Sequence, residues 1–187
     1  ISDNFQWLLD GFARQTAYLR AHPNYVPPVA KRVKGVVVSP LLDCTWGQGF
    51  PYFNMCPTVG GNHCLTGCVP TAFAQIMYYH KWPEKGKGQA SYEYDGQTFS
   101  ADLSQSTYRW DLMLPSYDAN SSQASQDAVA QLMKDVGYAF HTFYGLEDSG
   151  ASGDAEQFLT HFDYDQSLRI IYRAYCDQET WDNTIVL

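Results

Sequence analysis

Cys68 is the residue whose setting in the chain could do chemistry. It follows a small turn, Leu65-Thr66-Gly67, and opens a long apolar, helix-forming run: Val69, Thr71, Ala72, Phe73, Ala74, Ile76, Met77, Tyr78 and Tyr79. Pro70 lies just inside that run, where the first helical turn tolerates proline because its backbone N–H has no intrahelical partner. This pattern predicts Cys68 at or just before the N-terminus of a mostly buried helix. Unpaired N–H groups and the helix dipole present positive charge there and stabilise a thiolate, the activated nucleophile of thiol hydrolases. The competing reading makes Cys68 one more small buried hydrophobe, and placement alone does not separate the two.

Other chemistries are weaker. Cys64 and Cys68 are spaced C-x-x-x-C with His63 adjacent, which raises zinc. However, Cys68 opens an apolar helix and no second ligand pair of suitable spacing follows, so no metal and no cofactor is expected. The glycine-rich stretch 144–153 precedes a predicted helix, but it carries Glu147 and Asp148 and no lysine follows, which argues against phosphate. The five cysteines, 44, 56, 64, 68 and 176, are an odd number. A disulfide among Cys44, Cys56 and Cys64 stays open, as does the state of Cys176.

A thiol nucleophile needs a base within hydrogen-bond reach. His80 lies twelve residues beyond Cys68 on the same predicted helix, about 18 Å along the axis, and cannot serve. His63 sits in the approach loop, His141 and His161 border the glycine-rich stretch, and His22 lies far upstream.

Three motifs carry a family resemblance: WGQGFPY (46–52), TGCV (66–69) and TAFAQIMYYHKWP (71–83). Together they resemble the active-site region of streptopain-type (interpain-like) cysteine peptidases, secreted papain-fold enzymes of bacteria, and the resemblance continues to the end of the chain. It implies an α+β fold, the helical lobe of a papain-like peptidase with a β-hairpin. The sheet lobe carrying the catalytic histidine would be largely absent from this chain, so a second chain could supply it. Cys68 would be the nucleophile, with Gln48 and the Cys68 N–H facing the oxyanion; without the resemblance Gln48 is an ordinary loop glutamine. Gly150, Ala151 and Ser152 would wall the substrate cleft, where small residues let a peptide backbone approach.

The same resemblance divides the chain. Residues 1–35 would be the last part of a pro-segment and its linker, residues 36–187 the N-terminal part of the catalytic domain, with maturation at Lys34, Gly35 and Val36. The function implied is a secreted or cell-surface cysteine endopeptidase acting on polypeptides, as zymogen or fragment. The alternative is a catalytically incomplete module that binds or inhibits a peptidase; a papain-fold transferase or amidase is a third reading.

The elements that must position these residues can be read from pattern. The 187 residues are 45% hydrophobic and 16% aromatic, the composition of a globular chain. A net charge of −8 argues against nucleic acid or an anionic membrane as partner. No apolar run approaches the roughly 18–20 residues of a membrane span. The chain starts with Ile and shows no signal peptide, as expected of a piece of a longer precursor. A helix is predicted from Ser2 or Asp3 to about Ala21, with Phe5, Leu8, Leu9, Phe12 and Leu19 as its apolar stripe. A proline-rich basic linker, 22–35, and a loop, 44–62, follow. Residues 89–103 alternate about Asp95-Gly96 and predict a β-hairpin, with Tyr92, Tyr94 and Phe99 on its packed face. Segment 109–117 is apolar and irregular. A helix is expected over 124–136, with Val129, Leu132, Met133 and Val136 inward and Gly137 as its stop. A helix over 154–161, a strand over 167–175 and a helix from Glu179, capped by Asp177, complete the reading.

Overall fold

The computed structural model describes residues 3–25, 39–152, 155–168 and 170–186. The chain separates into two compact units, Ile1–Val37 and Val38–Leu187. The predicted processing residues Lys34, Gly35 and Val36 lie outside the described residues.

The first unit contains α1 (Asp3–Ala21). Its end is tied off locally: His22 Nδ1 donates to the Tyr18 carbonyl at 2.8 Å, the two rings stack at 4.1 Å, and Tyr25 meets Tyr18 edge-on. Leu9, Phe12 and Leu19 of the predicted stripe are exposed.

The second unit is built around α2 (Cys68–His80) and α3 (Gln123–Ala139). Pro70, Thr71, Ala74, Met77 and Tyr78 form the buried stripe of α2, at the helical spacing of one face. Val129, Leu132, Met133 and Val136 of α3 are fully buried against that core, as their spacing predicts. Phe73 of α2 stacks on Phe140 at 4.4 Å and meets Phe158 edge-on at 4.7 Å, which brings in the short helix α4 (Glu156–His161).

Two hairpins accompany the helices. The larger pairs β3 (Gln89–Tyr94) with β4 (Gln97–Asp102) in the register Tyr92↔Phe99. Asp95 (φ 49°) and Gly96 (φ 71°) make its two-residue turn, both left-handed as a hairpin of the favoured twist requires. A smaller hairpin, β1 (Thr58–Val59) with β2 (Asn62–His63), lies inside the stretch expected to be loop. Gly60 and Gly61, both at positive φ, turn it. The last helix, α5 (Gln178–Val186), is capped by Asp177, whose carboxylate accepts from the Thr180 N–H at 2.7 Å. No described helix is long and apolar enough to cross a membrane.

The structure corrects several expectations. Gly137 does not stop α3, which runs on to Ala139 and is capped by Phe140. A Cβ at Gly137 would lie 2.1 Å from the Tyr144 hydroxyl, so the glycine is there for a packed phenol. Tyr94 is 48% exposed; near the hairpin tip it reaches the Phe143 ring but no deeper cover. Segment 167–175 pairs with no strand among the described residues. It holds a turn and a 3₁₀ segment, Arg173–Tyr175, and leaves Ile170, Ile171, Tyr172 and Tyr175 exposed. Its alternation is strand-like, but a strand needs a ladder partner.

Candidate active site

α2 begins at Cys68, and that cysteine is exposed while Gly67 and Pro70 on either side of the turn are buried. The chain enters the helix through Gly67 at φ 89°, ψ 144°, a region open essentially to glycine. The Gly67 carbonyl accepts two bonds from Thr71, one from the backbone N–H at 3.1 Å and one from Oγ1 at 2.7 Å. Thr71 Oγ1 is in turn 2.7 Å from Thr66 Oγ1, and both residues are buried.

Two other segments converge on the 65–68 turn. The first carries Gln48, whose carbonyl accepts from the Thr66 N–H at 3.2 Å. This segment is fixed by Trp46, whose indole donates to the Leu114 carbonyl at 2.8 Å and packs on Tyr78 of α2 at 4.5 Å. Gln75 of α2 donates to the Trp46 carbonyl at 3.0 Å. The second is the 145–150 loop. The Gly145 carbonyl accepts from the Leu65 N–H at 3.1 Å. The buried Ser149 hydroxyl closes the loop on Gly145, accepting from its N–H at 3.0 Å and donating to its carbonyl at 3.1 Å. Gly150 pairs with Phe143 through two backbone bonds. A Cβ on Gly67 would sit 3.1 Å from the Ser149 carbonyl oxygen and 3.3 Å from the Gly150 nitrogen, so the loop lies directly against the turn that delivers Cys68.

Of the sequence-predicted residues, Gln48, Cys68 and Gly150 therefore belong to segments held on one turn. Ala151 packs partly against the core and Ser152 is exposed. Thr66, Thr71 and Ser149 were not singled out by the sequence. The available signal was Thr71 four residues after Gly67, the spacing at which a threonine hydroxyl can bond back to a helix carbonyl.

The other thiols are placed differently. Burial, with Cys64 alongside, pushes the Cys56 thiol up to about 12. Burial also raises Cys64 and the half-buried Cys44. All five cysteines are free. Cys64 is buried and Cys68 exposed, and no group of three or more metal-ligating side chains is found among the described residues. Each histidine of this unit has a contact of its own. His63 Nδ1 donates to the Cys56 carbonyl at 3.0 Å, and His161 Nδ1 to the Lys87 carbonyl at 3.0 Å. His141 stacks on Tyr92, and His80 meets Tyr79 edge-on. An apolar groove of about 280 Å³, lined by Val69, Ala72, Phe73, Ile170 and Tyr172, flanks the first turns of α2.

A sequence model described as the Peptidase C10 family matches residues 46–186. The chain belongs to the peptidase C10 family. Within it, streptopain from Streptococcus pyogenes is 32% identical over 176 residues, covering 82% of this chain. The thiol protease/hemagglutinin PrtT of Porphyromonas gingivalis is 29% identical and covers 98% of the chain. The active wild-type interpain A cysteine protease of Prevotella intermedia superposes with a TM-score of 0.74 at 36% identity, over 80% of this chain and 64% of that one. A prointerpain A fragment from the same organism matches over the whole of this chain and 63% of its own length, with a TM-score of 0.78 at 31% identity. The α+β arrangement is thus that of a papain-like peptidase. This C10 chain spans 44% of the streptopain it matches.

Proposed function

We propose that the protein to which this chain belongs is a cysteine endopeptidase hydrolysing peptide bonds through Cys68. The observation that carries the reading is an exposed thiol at the first residue of α2, in a chain of a peptidase family. The Cys68 thiolate attacks the scissile carbonyl. The resulting oxyanion is held by the Cys68 N–H and the Gln48 side-chain amide, each such donor being worth about 2.7–4 kcal/mol of barrier. A histidine supplied from outside this chain activates the thiol and protonates the leaving amine; water then releases the acyl group. Gly150, Ala151 and Ser152 form the wall along which the polypeptide lies. The contact of the 149–150 peptide with Gly67 supports this assignment.

The match of the whole chain to a prointerpain fragment supports reading residues 1–35 as the end of a pro-segment, removed at Lys34, Gly35 or Val36. Polypeptides are the substrates, and the enzyme acts outside the bacterial cell or on its surface. The test is Cys68→Ala in the full-length protein. Turnover of a peptide substrate is expected to vanish while stability stays within about 0.5 kcal/mol, because the side chain is exposed. Retained turnover overturns the assignment.

A further inference from the structure

We propose that Thr71 and Thr66 are positioning residues that aim the Cys68 N–H at the oxyanion. The inference rests on the peptidase reading above and deepens it. The Gly67 carbonyl belongs to the same peptide plane as the Cys68 N–H, and in a trans peptide the two point in opposite directions. Whatever fixes the carbonyl therefore fixes the N–H. Helix geometry asks for one bond to that carbonyl, from the Thr71 N–H, and it is present at 3.1 Å. The Thr71 hydroxyl adds a second, shorter one at 2.7 Å.

Since Thr71 spends its hydroxyl proton on Gly67, the 2.7 Å contact between the two threonine hydroxyls has Thr66 as donor. The result is a head-to-tail relay, Thr66 to Thr71 to the Gly67 carbonyl. It lies where water is excluded, Thr66 being 0% and Thr71 6% exposed. Bonds in such a chain polarise one another, so the relay both orients the Gly67–Cys68 peptide and strengthens its N–H as a donor. That N–H finds no acceptor among the described residues and points away from the helix, on the end where the Cys68 thiol is exposed. A packing role alone would be served by valine, which has the shape of threonine without the hydroxyl.

The experiment uses the full-length protein with Thr71→Val, Thr71→Ser and Thr66→Val. Five quantities are measured: kcat and KM on a peptide amide, affinity for a peptide aldehyde, the rate of alkylation of Cys68 by iodoacetamide, and the melting temperature. The aldehyde forms a hemithioacetal whose oxygen occupies the oxyanion position; alkylation develops no oxyanion. Thr71→Val is expected to lower kcat about tenfold with KM unchanged, less than the 10²–10³ seen when an oxyanion donor is removed outright. Aldehyde affinity should fall by the same factor, alkylation should keep its rate, and Thr71→Ser should restore kcat. Thr66→Val should give a smaller loss of the same kind. Unchanged kcat in Thr71→Val overturns the proposal. So does a fall in kcat matched by alkylation and melting temperature, or failure of serine to restore it. If Cys68→Ala still turns over, the peptidase reading itself fails; if Cys68→Ala is inactive and Thr71→Val is not impaired, only the relay fails.

Discussion

Gly67→Ala is the substitution to which the site should be most sensitive without any loss of a reacting group. At φ 89°, ψ 144° an alanine stands in a region that costs about 1–3 kcal/mol. Its methyl would also lie 3.1 Å from the Ser149 carbonyl oxygen, 3.3 Å from the Gly150 nitrogen and 3.3 Å from Pro70 Cδ. Two of those are backbone atoms of a loop closed by the Ser149 hydroxyl, so relief requires moving the loop. The two effects together are worth about 3 kcal/mol. For the 187 residues of this chain each kcal/mol lowers the melting temperature by about 2–4 °C, which gives a drop of about 6–12 °C. Thermal melts of three variants separate the contributions. Gly49→Ala has an open site and an ordinary φ and should stay within about 0.5 kcal/mol of the parent. Gly60→Ala has positive φ but open space, so it carries the backbone penalty alone, about 1 kcal/mol. The expected order is Gly49, Gly60, Gly67, with kcat/KM on peptide lowered in the last alone. A Gly67→Ala variant that melts with Gly49→Ala would refute the reasoning, because neither the strain nor the loop contact would then be real.

Alkylation under native conditions should modify Cys68 first and spare Cys56 and Cys64 until unfolding, since those two are buried; peptide mapping that finds either of them labelled first contradicts the structure. Asp135 is fully buried and accepts from Gln131 Nε2 at 2.9 Å and the Tyr108 hydroxyl at 3.2 Å. Asp135→Ala strands the buried Tyr108 hydroxyl, while Gln131 Nε2 keeps the Ser106 hydroxyl at 3.3 Å, and should lose about 2 kcal/mol in urea unfolding, with Asp135→Asn losing less. Burial raises Tyr92, Tyr108, Tyr117, Tyr144 and Tyr164 above the ordinary value of 10.0, with Asp135 adding to the rise at Tyr108. Above pH 10 the unfolded chain therefore releases phenolic protons that the native state keeps, so stability is fully present below about pH 10 and falls as pH rises beyond it. Tyr108 alone should contribute up to about 1.4 kcal/mol per pH unit to that fall, measured as urea midpoints from about pH 8 to about pH 11. A midpoint that stays level across pH 10 would contradict the burial of these phenols.

What the sequence determined by itself is local. The helix opening at Cys68 follows from an apolar run with Pro70 in its first turn, the β3–β4 hairpin from alternation about Asp95-Gly96, and the α5 cap from Asp177. In each case the forces act between residues a few positions apart, so the order of residue types is enough. Even within that range the Gly60-Gly61 turn reads as loop, because each strand it joins is only two residues long. The family's motifs also lie in contiguous stretches, which is why Gln48 and Cys68 could be named together without knowing what joins them.

Only the tertiary structure decided how those pieces meet. The bond from the Thr66 N–H to the Gln48 carbonyl and the seating of Ser149 and Gly150 on Gly67 join residues 18 to 83 positions apart, and such contacts leave no local pattern. Gly137 reads as a helix stop until Tyr144 is seen against it. Segment 167–175 reads as a strand because alternation reports a side-chain pattern, whereas a ladder requires a neighbour. The Thr66–Thr71 relay combines both levels: a local i−4 hydroxyl bond that any threonine in a helix can make, and a dry enclosure, supplied by the packed loops, that makes that bond hold one peptide in place.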